Sequence, residues 1–336
     1  MATRDAAARQ AAVLLNGFRG YQLLVAACRL KLADLVGERP RTASELASAT
    51  GTHAPSLRRA LRGLVSWGFF SEQPDGTFAA TGVSELFRSD KPGMRNMAVM
   101  LSHEGYRVWA ELVGALRSGR PMFEQLYGKS RWQQMAEDPL DAAEFNAAMV
   151  ETSTRVGREF VAAYDVGDAR RVVDVGGGNG ALLAAVLRMH PSLEGILFDL
   201  PAGLAGAADG MKAAGVTGRV SFAEGSFFES VPAGADLYLL KSIIHDWDDE
   251  HAVAILKTCR EAMNGHARLV LVERTLPEGA PDEHDMPGLM SDLHMMVMLG
   301  GRERTTSEYG GLFKDAGLRL TRDVPMSDFH AIEATT

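Results

Sequence analysis

Cysteine is nearly absent from this chain. Among 336 residues only Cys28 and Cys259 occur. Two isolated thiols build neither a disulfide framework nor a cysteine-based zinc cluster, so a reducing, cytoplasmic setting is expected. An excess of positive charge is missing as well: 35 Lys and Arg stand against 43 Asp and Glu, a net charge of −8. Such a balance argues against a dedicated nucleic-acid binder or a partner for acidic membranes. No uninterrupted apolar run approaches the roughly 18 residues that cross a bilayer. The start, MATRDAAARQAAVLL, is interrupted by Asp5 and Arg9, so no signal peptide is expected either. Aromatic residues are scarce at 7%, whereas methionine is frequent at 16 residues, which suits a pliable apolar pocket or the filling of core gaps.

What is present is the composition of an ordinary globular protein, 46% apolar and 23% charged, in a chain long enough for two domains. From Leu14 to Leu35 apolar residues recur at helical spacing with few charges, as in a helix buried against another subunit. A homodimer is therefore expected. Next, Thr42 or Ser44 can cap one helix and Pro55 or Ser56 can start a second, which Gly68 ends. FFSEQPDGTFAAT follows as a hairpin turning at Pro74-Asp75-Gly76. Helix, helix and hairpin in this order predict a winged helix. A DNA-binding reading would rest on Arg58, Arg59 and Arg62, but positions 35–90 hold six basic and six acidic residues. Without a net positive field the phosphate contacts that dominate DNA affinity are lacking, and a dimerisation scaffold is the better reading.

The stretch 104–164 has helical patterning, including GYRVWAELVGALRSG and a long amphipathic segment, DAAEFNAAMVETSTRVGREFVAAY. These helices serve either as packing connectors or as walls of an acceptor pocket. After Ala169 short β-branched runs alternate with helical segments: RRVVDV, LEGILFDLP, RVSFAEGSFF, ADLYLLKSII and ARLVLVERTLP, with a closing hairpin at the C-terminus. That alternation predicts an α/β fold with a mostly parallel sheet wound on both faces and ligands at the carboxyl ends of its strands. The expected division is residues 1–100 for dimerisation and 101–336 for the catalytic domain. The latter splits into a helical pocket segment, 101–165, and a cofactor-binding core, 166–336.

The first of these strands runs into a turn holding Gly176, Gly177, Gly178 and Gly180. Glycines admit a ligand close to the backbone, and a following helix N-terminus favours negative charge. Asp199 ends the next strand, about where an acid grips a ribose hydroxyl pair. Gly176-x-Gly178-x-x-Ala181 also fits a dinucleotide fingerprint, so a nicotinamide-dependent dehydrogenase stays open on these residues alone.

Further motifs occur in a fixed order: DVGGGNG, FDLP, GSFF, LLKSIIHDWDDE, VERTLPEG and GGRERTTSEYGGLFKDAG. This series resembles the caffeate-type, S-adenosylmethionine-dependent O-methyltransferases of plants and of bacterial natural-product pathways, over nearly the whole chain. The resemblance implies a seven-stranded Rossmann-like methyltransferase domain, an N-terminal helical dimerisation domain with a winged-helix core, and no metal. It places Gly176, Gly178, Asp199, Leu200, Ser226, Phe227 and Lys241 around S-adenosylmethionine. It makes His245 the general base, flanked by Glu273 and Glu303. It implies a small aromatic or polyketide-like acceptor methylated on a hydroxyl, with Phe145, Asn146, Met149, Asp292 and Met295 as candidate contacts. One departure is Ser226, where the family often has Asp. Some relatives bind the same cofactor yet hydroxylate, decarboxylate or cyclise.

Elementary chemistry agrees with these roles. A phenol, with a pKa of about 10, is mostly protonated near neutral pH, so a nearby base assists. Histidine, with an unperturbed pKa of about 6.5, is expected to be largely neutral there and to lose activity only on acidification. An acid on its other ring nitrogen would fix the tautomer. Asp248, Asp249 and Glu250, just after His245, suit a helix start. His251 is expected on the solvent face of that helix, and His294 near the pocket without a part in proton transfer.

Overall fold

The computed structural model describes residues 2–37, 39–91 and 93–336, with side chains from residue 5 onward. Contacts divide the chain into two units, residues 1–105 with 147–151, and residues 106–146 with 152–336.

The first unit opens with helices α1 (Ala2–Arg29), α2 (Leu32–Val36), α3 (Ala43–Thr50) and α4 (Ala54–Ser66). A hairpin of β1 (Phe70–Glu72) and β2 (Phe78–Ala80) follows, then α5 (Gly82–Glu85) and α6 (Arg95–Met100). The winged-helix order is present, for the local reasons anticipated. Thr42 and Glu45 form a reciprocal capping box at α3, and α4 has its proline in the first turn. At the hairpin tip Thr77 donates its N–H and hydroxyl to Asp75, and Gly76 takes a positive φ of 78°. Leu32, Leu46, Leu61 and Phe78 meet in one apolar core.

The start of the chain departs from expectation in two ways. Leu14–Leu35 is not one helix: α1 stops at Arg29, Lys31 turns through a left-handed φ of 52°, and α2 begins anew. The turn lets Leu32 and Val36 enter the core. Secondly, α1 reaches nearly to the N-terminus. Its Asp5–Arg29 portion contains an 18-residue window with a mean hydropathy of 1.2 and is long and apolar enough to cross a membrane by length and composition, although scattered charges keep any uninterrupted run short. Val13, Leu14, Leu15 and Phe18 on it are all more than half exposed.

Helix α7 (Glu104–Trp109) reaches into the second unit, and α8 (Leu112–Ser118), α9 (Met122–Tyr127) and α10 (Arg131–Glu137) follow. The sequence pattern reads α7 and α8 as a single helix, but the chain breaks between them at Ala110 and Glu111. The long α11 (Pro139–Ala163) contributes residues to both units. Then come β3 (Arg171–Val175), α12 (Ala181–Met189), β4 (Glu194–Asp199), α13 (Ala207–Ala213), β5 (Val220–Glu224), β6 (Leu237–Lys241), α14 (Asp249–Ala262) and β7 (Arg268–Glu273). The chain continues through β8 (Thr275–Leu276), α15 (Met286–Met298), β9 (Arg304–Thr305), α16 (Thr306–Asp315), β10 (Arg319–Pro325) and β11 (His330–Thr335).

Seven of these strands form one sheet in the order β10-β11-β7-β6-β3-β4-β5. Strands β3 to β7 pair in parallel, and β11 pairs antiparallel with β7 and β10. The central strands are apolar on both faces because helices cover both: Val173, Tyr238 and Leu269 meet α14 and α16 residues on one side, while Val172, Leu239 and Val270 meet α12 residues on the other. All five parallel strands point the same way, so their carboxyl ends bring Gly176, Asp199, Lys241 and Glu273 to one edge.

Candidate active site

His245 sits on a short 3-10 turn, Ile244–Asp246, directly beyond β6. The buried run of β6 fixes where this turn starts, and Asp248 then caps α14 by accepting the N–H of His251. The acids after His245 are thus helix-start residues, and His251 is exposed beside Asp248.

The two flanking acids divide their work. Glu303 Oε1 accepts from Nδ1 of His245 at 2.9 Å and from the Ser291 hydroxyl at 2.7 Å. Glu273 stands 3.9 Å from the same ring nitrogen and instead accepts the backbone N–H groups of Ile243 and Ile244, at 2.9 and 2.8 Å. Glu273 therefore holds the turn and Glu303 holds the ring. Both carboxylates are fully buried. With Nδ1 committed to Glu303, Nε2 is the nitrogen left for an acceptor, and Asp246 Oδ1 lies 3.4 Å from it.

Electrostatics alter one expectation. Burial alone would lower the His245 pKa, but Glu303, Glu273 and Asp246 together raise it to about 10. Burial also raises the carboxyls of Glu273 and of Asp246, the latter to about 7. For Glu303 burial pulls upward, yet the His245 charge holds it below the usual carboxylate range. Three carboxyl groups thus favour the charged form of the ring beyond what histidine's ordinary pKa suggests.

Several supports escaped the sequence reading. Arg304 is 1% exposed and binds the carbonyls of Ile244 and Trp247 together with Asp249, clasping the loop on both sides of His245. Gly301 passes so close that a Cβ would lie 2.1 Å from the His245 carbonyl oxygen, and the neighbouring Arg302 N–H donates to that oxygen. Asp292, a candidate acceptor contact, accepts the Glu303 N–H at 3.0 Å and so also supports that acid. The sequence signal for Arg304 and Gly301 lies in GGRERT, on either side of Glu303.

The remaining candidates fall into two groups. At the glycine turn, Gly176 and Gly178 have φ of 66° and 56°, and the space that a Cβ on Gly178 would enter is open. Asp199 accepts the N–H groups of Gly178 and Leu200 at 2.8 and 2.7 Å, with lone pairs to spare. The Leu200 side chain is 54% exposed. Phe227 meets Trp247 and Phe228 edge-on, and the hydroxyl of Ser226 accepts the Phe228 N–H. Lys241 donates to Ser242, and burial lowers its pKa. Asp174 Oδ2, buried beside Gly177, has no hydrogen-bond partner. In the second group, Phe145 packs edge-on against Trp132, and Arg131 lies over the rings of Phe145 and Phe123 while paired with Asp141. Met295 is buried on α15 and Asn146 is half-buried on α11. Met149, also on α11, belongs to the first unit.

Comparison with known proteins decides the family. A sequence model of the O-methyltransferase domain matches residues 109–319, and one of the O-methyltransferase dimerisation domain matches residues 12–90. The chain belongs to this O-methyltransferase family. Among the relatives of this O-methyltransferase, the phenazine O-methyltransferase PhzM of Lysobacter antibioticus is 40% identical, over 96% of this chain and 95% of the relative. The O-demethylpuromycin-O-methyltransferase of Streptomyces alboniger is 38% identical, over 92% of this chain and 83% of the relative. Among solved structures, an O-methyltransferase from neocarzinostatin biosynthesis, NcsB1, in complex with S-adenosylmethionine and 2-hydroxy-5-methyl naphthoic acid, superposes with a TM-score of 0.80 at 35% identity, covering 94% of this chain and 95% of that one. The family's methyl donor, S-adenosylmethionine, fits the residues found. The open space at Gly178, the free lone pairs of Asp199 and the unpartnered buried carboxylate oxygen of Asp174 suit a ligand with ribose hydroxyls and a cationic amino-acid portion.

Proposed function

We propose that this chain transfers the methyl group of S-adenosylmethionine to a phenolic hydroxyl of a small aromatic or polyketide-like metabolite, with Nε2 of His245 taking the proton. The observation that carries the reading is the committed Nδ1: Glu303 holds it at 2.9 Å, so the ring is fixed and Nε2, with Asp246 3.4 Å away, is the nitrogen left to act as the base. The surrounding carboxyl groups make the imidazole a stronger base than free histidine, so in its neutral form it is suited to draw the proton from a phenol of pKa about 10 while phenolate character develops as the methyl moves.

In this reading Gly176, Gly178 and Asp199 hold the methyl donor, with Leu200, Ser226, Phe227 and Lys241 along its adenosine side. When bound, S-adenosylmethionine supplies a methyl on a positively charged sulfur. Phe145, Asn146, Asp292 and Met295 would shape the acceptor site, and of these Asp292 also supports Glu303. The first unit, residues 1–105 with 147–151, is the dimerisation domain of a cytoplasmic homodimer. The exposed apolar residues Val13, Leu14, Leu15 and Phe18 on α1 support this, since such a patch in a soluble protein marks a partner surface.

Incubation with S-adenosylmethionine and a panel of phenols, read by mass spectrometry, tests the proposal: a methyl gain on a hydroxyl is expected. Consumption of the phenols by hydroxylation or decarboxylation without methyl gain, or retention of NAD in place of S-adenosylmethionine, would overturn it.

A further inference from the structure

On α15, His294 lies one helical turn beyond Ser291, so the two side chains are neighbours on one face, with about 5–6 Å between their Cβ atoms. Ser291 bonds the same Glu303 oxygen that holds His245. His294 therefore lies near the His245 pair, whose charge acts on its ring.

The indole N–H of Trp109 points at Nδ1 of His294 at 3.0 Å, with the two rings nearly parallel at 19°. An indole nitrogen only donates, so Nδ1 must be the accepting nitrogen. A neutral ring that accepts at Nδ1 carries its proton at Nε2. Burial keeps this ring neutral, lowering its pKa to about 4, and the charges of His245 and Arg131 act in the same direction. The Nε2–H has no partner among the described residues, while the ring keeps some accessible surface. A ligand that satisfies this donor is favoured over one that covers it without a bond, because a donor then shut away from water is costly.

We propose that His294 is a specificity-determining donor: its Nε2–H meets a hydrogen-bond-accepting oxygen, such as a ring carbonyl, on the acceptor, apart from the hydroxyl that His245 serves. Trp109 is then a positioning residue that fixes the tautomer. The acceptor class narrows to oxygenated phenols, quinone-like or carbonyl-bearing, over plain alkylated phenols. This inference rests on the proposed methyl transfer to a phenol.

Two probes differing only in the oxygen decide it: 7-hydroxy-1-tetralone and its deoxygenated counterpart, 5,6,7,8-tetrahydro-2-naphthol. The parent should prefer the ketone in kcat/KM by about 10–100-fold, the range for satisfying one buried donor. His294→Phe should bring the ratio near one, and His294→Gln, whose amide N–H reaches about the place of Nε2, should restore part of it. Trp109→Phe should give an intermediate ratio through KM rather than kcat. Nitrogen NMR of the labelled imidazole should show the Nε2–H tautomer at neutral pH in the parent and a mixture in Trp109→Phe. The same ratio is read by calorimetry on protein saturated with S-adenosylhomocysteine. Loss of methyl transfer with the binding preference intact sinks the reading of the reaction and keeps this one. Equal binding of the two probes, absence of binding by both, or a preference that survives in folded His294→Phe overturns it.

Discussion

Nδ1 of His245 donates to Glu303 at 2.9 Å, while Glu273, 3.9 Å from the same nitrogen, binds the two backbone N–H groups that precede it. The acids that flank the histidine therefore act on different things, one on the ring and one on its support. This predicts unequal mutants. His245→Gln removes the base and should lower turnover about 10²–10⁴-fold, the usual range for general-base catalysis, with cofactor affinity nearly unchanged. Glu303→Gln should lower turnover by a smaller factor with the fold intact. Glu273→Gln should in addition lower the melting temperature, because a neutral amide cannot accept two N–H bonds as strongly. In double mutants with His245→Gln each should add little, as groups acting together are non-additive. Near-parental turnover in His245→Gln on the true acceptor would leave the histidine a structural residue.

A pH profile follows from the raised imidazole. With the His245 pKa near 10 in the folded protein against an ordinary 6.5, neutral imidazole accumulates only as pH rises. The rate at saturating substrates should climb from neutral into alkaline pH, with its midpoint above 8, not level off above 6.5. The sign for stability is opposite. The folded pKa lies above the unfolded one, so the contribution of the His245 charge is fully present below about 6.5 and is lost as pH rises towards 10. A rate midpoint near 6.5 would show that the three carboxyl groups do not retain the proton in the working enzyme.

Cofactor affinity should separate Asp199 from Ser226. Asp199→Ala removes a carboxylate that also organises Gly178 and Leu200, and should weaken S-adenosylmethionine binding by about 1.5–3 kcal/mol. The Ser226 hydroxyl is engaged by the Phe228 N–H, so Ser226→Ala should cost only about 0.5–1.5 kcal/mol. Calorimetry that ranks them in the other order would reject the assignment.

His245, Glu273 and Glu303 offer ligand atoms within 4.8 Å of one another, enough in principle for a cation. Nδ1 and Oε1 of each acid are, however, already hydrogen-bonded within the protein, which leaves only Oε2 of each acid. Dialysis against a chelator should therefore leave turnover unchanged, and added zinc should inhibit by competing with the imidazole proton. Loss of activity on chelation, restored by a divalent metal, would contradict the metal-free reading.

Much of this architecture was legible in the sequence because its signals are local. Thr42 and Glu45 announce a cap, Pro74-Asp75-Gly76 a turn, and RVVDV a strand covered on both faces. The break at Lys31 was not legible, since a lysine carries no turn signal and only the pull of Leu32 and Val36 into the core explains its φ. Within the site, the resemblance to the caffeate-type O-methyltransferases indicated His245, Glu273 and Glu303 but not which acid binds the ring. That depends on β6, β7 and the 300–303 loop converging, a relation between residues up to 58 positions apart. The raised imidazole was hidden for the same reason, because it arises from three carboxyl groups that only the fold assembles.

Arg304 gives the last prediction. Its guanidinium is buried, yet its acid partner Asp249 is 62% exposed, so the pair is only half desolvated. Removing the arginine would leave Asp249 in water at little cost. The larger loss lies with the carbonyl oxygens of Ile244 and Trp247, which Arg304 reaches at 3.2 and 2.9 Å from opposite ends of the His245 loop. The Ile244 oxygen keeps the Trp247 N–H at 3.3 Å, whereas a buried acceptor left unmade, as at Trp247, costs about 1–3 kcal/mol. Arg304→Met, similar in length and without donors, should therefore destabilise the protein by about 1–3 kcal/mol in denaturant unfolding. Because the loosened segment holds His245 and not the glycine turn, kcat should fall at least tenfold while S-adenosylmethionine affinity changes little. Arg304→Lys, with a single charged donor group, should recover part of the stability and less of kcat, since one ammonium cannot span both carbonyls in a fixed fork. A stable Arg304→Met variant with unchanged kcat would mean that β9 and the start of α14 hold the His245 loop without the arginine.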